Sequence, residues 1–261
     1  MKYIRRFRIS LLLLAAVMVV VSVAVNTDPA EFHRPPLIEN PYAPSDFRLE
    51  NGYLTCTAGE SVLGIDVSSY QQEIDWNAVK HAGVEYVFIR VGWRGTESGS
   101  INEDIRAQEY YEGAKAAGLQ IGAYFFSQAV TVREAAEEAA FALNVVKSWE
   151  LDLPLVYDWE YAGENARTAN VGRRTLTDCT RVFCRWVEEA GLEPMIYFNV
   201  SQAEHLLYLE ELTEFPFWLA QYRAGMDFPY RVDFWQFTGE GNVPGINVPV
   251  DLNLRLIYEE T

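Results

Sequence analysis

Cysteine, histidine and basic charge are all scarce in this chain. Its 261 residues include three cysteines and three histidines. Three thiols are too few for a disulfide framework, and Cys56, Cys179 and Cys184 lack close metal-ligand spacing with His33, His81 or His205. No structural or catalytic metal and no cofactor are therefore expected. Lys and Arg number 21 against 37 Asp and Glu, a formal charge of −16. Lys2, Arg5, Arg6 and Arg8 precede the first acidic residue, so the rest of the chain carries 17 basic and 37 acidic side chains, or −20. A body that acidic is a poor partner for nucleic-acid phosphates. What the chain does have is apolar material: 49% hydrophobic and 14% aromatic residues, enough for a core and incompatible with wholesale disorder.

Long apolar runs are also rare, with one exception. After the basic flank MKYIRRFR, Leu11 to Val25 holds Ser22 as its only polar residue. Residues 1–25 therefore read as a signal peptide or membrane anchor: Ser22-Val23-Ala24 offers a small-x-small cleavage site, and Ile9 to Val25 is at the lower limit of a spanning helix. In either case the basic flank stays cytoplasmic and the remainder is exported, secreted or anchored through that segment alone. Residues 26–60 hold five of the eleven prolines and no packing period, which predicts a semi-extended linker. Cys56, at its end, reads as a free thiol or an intermolecular partner.

From residue 61 to 261 short apolar runs alternate with amphipathic stretches, the pattern of a parallel α/β architecture. Eight strands are predicted: Leu63–Val67, Tyr86–Val91, Gln120–Phe126, Leu155–Asp158, Pro194–Phe198, Phe217–Gln221, Val232–Phe237 and Val248–Leu252. Three helix-to-strand junctions repeat one phrase, Ala82-Gly83-Val84-Glu85, Ala117-Gly118-Leu119-Gln120 and Ala190-Gly191-Leu192-Glu193, each with a glycine suited to ending a helix. Thr131 and Glu134 form a capping box ahead of the stripe Ala135, Ala139, Leu143 and Val146. Leu176, Cys179, Phe183, Trp186, Val187 and Ala190 form a second stripe, and Cys184 points off it, so the two thiols should not bridge. After Phe217 the helical signal fades. The expected fold is an irregular (β/α) barrel of the TIM-barrel type, eight strands with helices missing between the last ones.

In such a barrel the working residues sit at the C-terminal strand ends. Here those ends are rich in carboxylates: Asp66 on the first strand, Asp158 and Glu160 on the fourth, Asp251 on the last. Asp158 and Glu160 are two apart, so alternation puts both on one face, the lumen side if Val156 points inward. Like charges gathered in a partly desolvated site cannot all stay ionised, so one carboxyl should hold its proton near neutral pH and act as a general acid. Glycoside hydrolysis needs such a protonated acid beside the leaving oxygen and a negative group near the oxocarbenium ion. Aromatic residues flank the same ends, namely Trp93, Tyr124, Phe125, Tyr157, Trp159, Tyr197, Tyr222 and Trp235. Of these Tyr124, Tyr197, Tyr222 and Trp235, with Arg90, form the expected substrate-binding set. The three histidines are assigned to surface or packing positions.

At these residues the sequence resembles the family-25 glycoside hydrolases, the Chalaropsis-type lysozymes. The resemblance runs from about Leu63 to Tyr258, on Gly64-Ile65-Asp66-Val67-Ser68 with Gln71 and Ile74-Asp75-Trp76, Tyr86-Val87-Phe88-Ile89-Arg90, Gly122-Ala123-Tyr124-Phe125-Phe126, Asp158-Trp159-Glu160, Trp218-Leu219-Ala220-Gln221-Tyr222, Trp235-Gln236-Phe237 and Val250-Asp251-Leu252-Asn253. It implies an irregular barrel and hydrolysis of the β-1,4 bond between N-acetylmuramic acid and N-acetylglucosamine in peptidoglycan. It further implies Glu160 as general acid/base, with Asp66, Asp158 and Asp251 at the other acidic positions: Asp158 supporting attack by the substrate's 2-acetamido group, Asp66 the competing nucleophile, Asp251 tuning its neighbours' protonation. Two departures stand out. Phe125 occupies a position where many members have histidine, and Tyr157 replaces a commoner aliphatic residue. A body at −20 is also unexpected for an enzyme acting on anionic wall polymer, and a membrane anchor would offset that repulsion by holding it near its substrate. The rival expectation is a non-catalytic wall-glycan-binding or scaffold protein on the same barrel; another is a hydrolase of chitin or a related polymer.

Overall fold

A computed structural model describes residues 34–258. The signal or anchor segment expected over residues 1–25, and residues 26–33 of the expected linker, lie outside the described residues. Among those described, no helix is long and apolar enough to cross a membrane.

Eight strands close on themselves. They are β3 (Glu60–Val67), β4 (Tyr86–Arg94), β6 (Gln120–Ser127), β7 (Leu155–Trp159), β8 (Pro194–Asn199), β9 (Phe217–Ala220), β10 (Phe234–Gly241) and β11 (Val250–Ile257). β3, β4 and β6 to β10 run parallel in that order, and β11 closes the ring by pairing antiparallel with both β10 and β3. This is the predicted irregular barrel, each strand within a few residues of its expected place. A further short strand, absent from the eight predicted, is β5 (Ile101–Glu103), which folds back on the end of β4.

Helices α1 (Trp76–His81), α2 (Ala107–Ala116), α3 (Val132–Val146), α4 (Arg173–Glu189) and α5 (Val200–His205) lie between successive strands up to β9, and none follows among the described residues. The repeated junction phrase does what its glycines suggest. Gly83, Gly118 and Gly191 each take a positive φ as the chain leaves α1, α2 and α4 for the next strand. Thr131 caps α3 by accepting from the Glu134 N–H, while the Glu134 carboxylate reaches back to the Val130 N–H. The α3 stripe differs from expectation at one position: Leu143 is half-buried, and the fully buried Glu138 faces the sheet. On α4, Trp186 is half-buried and Ala190 exposed, whereas Cys179, Phe183 and Cys184 are all fully buried. Both thiols are free.

Where helices are missing, something else must cover the apolar outer face of β10 and β11. The expected linker does so, and the expectation is corrected here. Residues 35–60 run along the barrel: Arg231 N–H donates to the Ile38 carbonyl at 2.8 Å and Asn40 N–H to the Pro229 carbonyl at 2.9 Å. The chain then forms a hairpin of β1 (Phe47–Glu50) and β2 (Tyr53–Cys56). Its turn is Asn51-Gly52 with both φ values positive, the pair that suits a two-residue hairpin. Phe47 packs edge-on against Trp235 with centroids 4.9 Å apart, and Leu54 and Cys56 are buried in the same layer.

Inside the barrel a second, smaller cluster fills the lumen: Tyr86, Phe88, Tyr124, Leu153, Val156, Met195, Tyr197, Trp218, Ala220 and Phe234. Phe88 stacks on Trp218 at 4.7 Å and meets Tyr86 and Phe234 edge-on. Gly64 makes room for this packing, because a Cβ there would lie 2.2 Å from the Tyr86 ring. Val156 therefore points inward, and alternation carries Asp158 to the same side.

Candidate active site

Two residues beyond the apolar floor, the inward positions turn polar. Asp66 follows Gly64 on β3, Arg90 follows Phe88 on β4, Asp158 follows Val156 on β7, and Gln236 follows Phe234 on β10. β11 runs the other way and brings Asn253 and then Asp251, which sits directly opposite Asp66 in the ladder. Glu160 stands just past the end of β7. A cavity of about 380 Å³ collects Asp66, Asp158, Glu160 and Asp251, with Tyr124, Phe126, Tyr197, Trp218, Gln236 and Arg90 in its wall and Tyr70 and Tyr222 exposed at its rim.

The four carboxyls differ in their support. One oxygen of Asp66 accepts from Gln236 Nε2 at 2.9 Å and Asn253 Nδ2 at 2.7 Å. Asn253 is itself fixed by the indole N–H of Trp218 at 2.8 Å, and Gln236 Oε1 accepts from the hydroxyls of Tyr197 and Tyr222 at 2.8 and 3.0 Å. Asp158 Oδ1 is buried without a hydrogen bond. No side chain among the described residues hydrogen-bonds the Glu160 carboxyl.

Protonation follows from this setting. Burial pushes Asp66 up, the two amide donors pull it back, and the charge of Glu160 adds to the rise, leaving it at about 6. Burial, then the charge of Asp66, pushes Asp251 to about 8. Asp158 lies well above the usual carboxylate range because it is desolvated and faces Glu160 and Asp66. Glu160 is also raised, by burial and then by Asp251. The cluster therefore keeps protons near neutral pH, and its titration belongs to the group as a whole.

The expected binding residues divide. Tyr124, Tyr197, Tyr222 and Arg90 line the cavity. Arg90 is committed to Asp104 at 2.8 to 2.9 Å and stacks over Trp93. Trp235 does not line it: it is fully buried on the barrel's outer side, with its indole N–H on the Gln221 carbonyl at 2.8 Å. The cause is parity, since Phe234 and Gln236 take the inward positions on either side. Phe125, Tyr157 and Trp159 face outward for the same reason, so the departures at Phe125 and Tyr157 lie outside the cavity, and Phe126 lines it instead. Gln236, Asn253, Trp218, Phe126 and Tyr70 join the site without having been expected there. Counting in twos along β11 from Asp251 points to Asn253.

Comparison with known proteins agrees with this geometry. A sequence model described as "Glycosyl hydrolases family 25" matches residues 65–246. The autolytic lysozyme of Clostridium acetobutylicum is 31% identical over 193 residues, covering 73% of this chain and 54% of that protein. The chain thus spans about half the length of that relative. Lysozyme M1 of Streptomyces globisporus is 29% identical over 203 residues, covering 74% of this chain and 67% of that one. Among solved structures, the bacterial lysozyme of Streptomyces coelicolor superposes with a TM-score of 0.59 at 26% identity, covering 74% of this chain and 90% of that one.

Proposed function

The chain belongs to the glycosyl hydrolases of family 25, and from that premise we propose that it is a muramidase, cleaving the β-1,4 bond between N-acetylmuramic acid and N-acetylglucosamine in peptidoglycan. The observation that carries this reading is the convergence of four acids from three separate strands on one cavity whose apolar floor keeps them partly protonated. The relatives named as lysozymes support the choice of glycan.

Glu160, whose carboxyl has no hydrogen-bond partner among the described residues and is raised in pKa, donates its proton to the glycosidic oxygen as the bond breaks. The substrate's 2-acetamido oxygen attacks the anomeric carbon from the other face, and Asp158, with its buried unpartnered oxygen, accepts the acetamido N–H. Asp66, held largely as an anion by two amide donors, offsets the positive charge that develops on the sugar. Water then enters, gives its proton to Glu160, and opens the intermediate with retention. Asp66 as a direct nucleophile is the competing route. Equal rates on N-deacetylated glycan would favour it, and resistance of that glycan would favour acetamido attack. Tyr124, Tyr197 and Tyr222 offer ring faces and hydroxyls to the sugars.

The site of action in this reading is outside the cytoplasm, with residues 1–25 directing export and, if retained, tethering an acidic body to the wall's inner side. Released reducing sugar from purified peptidoglycan tests the activity, with mass spectrometry of the new ends. Muramic acid at the reducing end supports it. Binding without new reducing ends would leave a glycan-binding scaffold instead.

A further inference from the structure

Among the described residues the Glu160 carboxyl has no hydrogen-bond partner, so its place is set by its backbone, which two side-chain amides hold. The carbonyls of Trp159 and Glu160, consecutive in the chain, each accept from the amide of a buried glutamine on a different element. Gln202 on α5 donates to Trp159, and Gln128, in the loop after β6, donates to Glu160 at 2.6 Å. Gln202 doubles as the partner of the Asn199 cap of its own helix. The Gln128 side chain caps no helix; its amide nitrogen also donates to the Ser127 carbonyl at 3.0 Å. It is fully buried, and its amide oxygen accepts from the Thr168 hydroxyl at 3.2 Å, while its backbone carbonyl accepts from Arg167. Arg167 is in turn paired with Glu134 on α3. Gln128 thus joins both ends of the stretch from Glu160 to Thr168 and ties them to the end of β6.

We propose that Gln128 is a positioning residue for the general acid: its side-chain amide, oriented by Thr168, clasps the Glu160 peptide so that the free carboxyl meets the glycosidic oxygen. This rests on the reading of Glu160 as the proton donor. A clasp on the acid has a signature that general loosening lacks. It matters most when the leaving group needs the proton, and little when the leaving group departs unaided.

The test is Gln128→Met in the full chain, which keeps the length of the side chain and removes both amide functions. On peptidoglycan kcat is expected to fall about 10- to 100-fold, the scale of a misplaced catalytic group, with KM within roughly threefold. On an aryl glycoside with an acidic phenol as leaving group, the loss is expected to stay within about threefold. Unchanged kcat on peptidoglycan, or equal losses on both substrates, would overturn the proposal. Thr168→Val, which deletes only the hydroxyl that orients the amide, should reproduce the pattern at several-fold amplitude. If Gln128→Met fails to fold, Thr168→Val decides, and wild-type behaviour in it counts against the clasp. Glu160→Gln is measured alongside. Full turnover in that variant overturns the assignment of Glu160 and the clasp with it, whereas an inactive Glu160→Gln beside an unimpaired Gln128→Met overturns the clasp alone.

Discussion

The lower and upper halves of the lumen are built from the same strands, two residues apart, and behave as opposites. Below, Tyr86, Phe88, Val156, Trp218 and Phe234 interlock in a dry aromatic layer. Above, Asp66, Asp158, Glu160 and Asp251 share one cavity with amides and phenols. The lower layer is a foundation in the electrostatic sense as well as the steric one. It keeps water out from beneath the acids, and that exclusion is the leading cause of their raised pKa values. Stability should therefore sit below and turnover above, and four substitutions separate the two.

Glu160→Gln strikes only the upper half. It is expected to cut turnover on peptidoglycan by about 10²- to 10⁴-fold, the range of a general acid, with thermal stability unchanged by calorimetry. Phe88→Ala strikes only the lower. Loss of a fully buried ring that touches three others should cost about 3–5 kcal/mol, with a melting temperature lowered by about 2–4 °C for each kcal/mol. Gly64→Ala probes the seam between the halves: its methyl group would press into the Tyr86 ring and should cost about 1–3 kcal/mol.

Asp251→Asn has the most informative pH dependence. The folded-state pKa of Asp251, about 8, lies above its ordinary value, so the wild type loses stability as pH rises from about 4 to 8. Removing that buried charge should raise the melting temperature at pH 8, where about 1 kcal/mol corresponds to 2–4 °C. The Asp251 charge also holds Glu160 up, so the alkaline limb of the kcat/KM profile should move to lower pH in the variant. An alkaline limb that stays in place would separate Asp251 from the acid.

Much of the barrel is legible from residue order. All eight of its strands, the loss of helices after Phe217 and the four acids follow from alternating patterns and strand-end placement. The departures turn on short-range detail. Five prolines favour a linker over residues 26–60, yet Asn51-Gly52 is a hairpin turn, flanked by strands of only four residues whose apolar content is too brief to show a period. The ring of Trp235 suggests a sugar platform, although the neighbouring Gln236 is the residue that alternation sends inward. One step of parity decides between wall and lumen, and composition carries no parity. Gln128 gives no signal at all: a lone glutamine in a loop shows its partners only when the chain has folded around it.

The antiparallel pairing of β11 also has a consequence for timing. The strand that carries Asp251 and Asn253 is the last of the barrel to be synthesised, and it must wedge between the first strand and its immediate predecessor. Until it arrives there is a gap in the wall, Asp66 lacks one of its two amide donors, and the fourth acid is missing. Closure of the barrel and assembly of the four-acid cluster thus depend on the same strand.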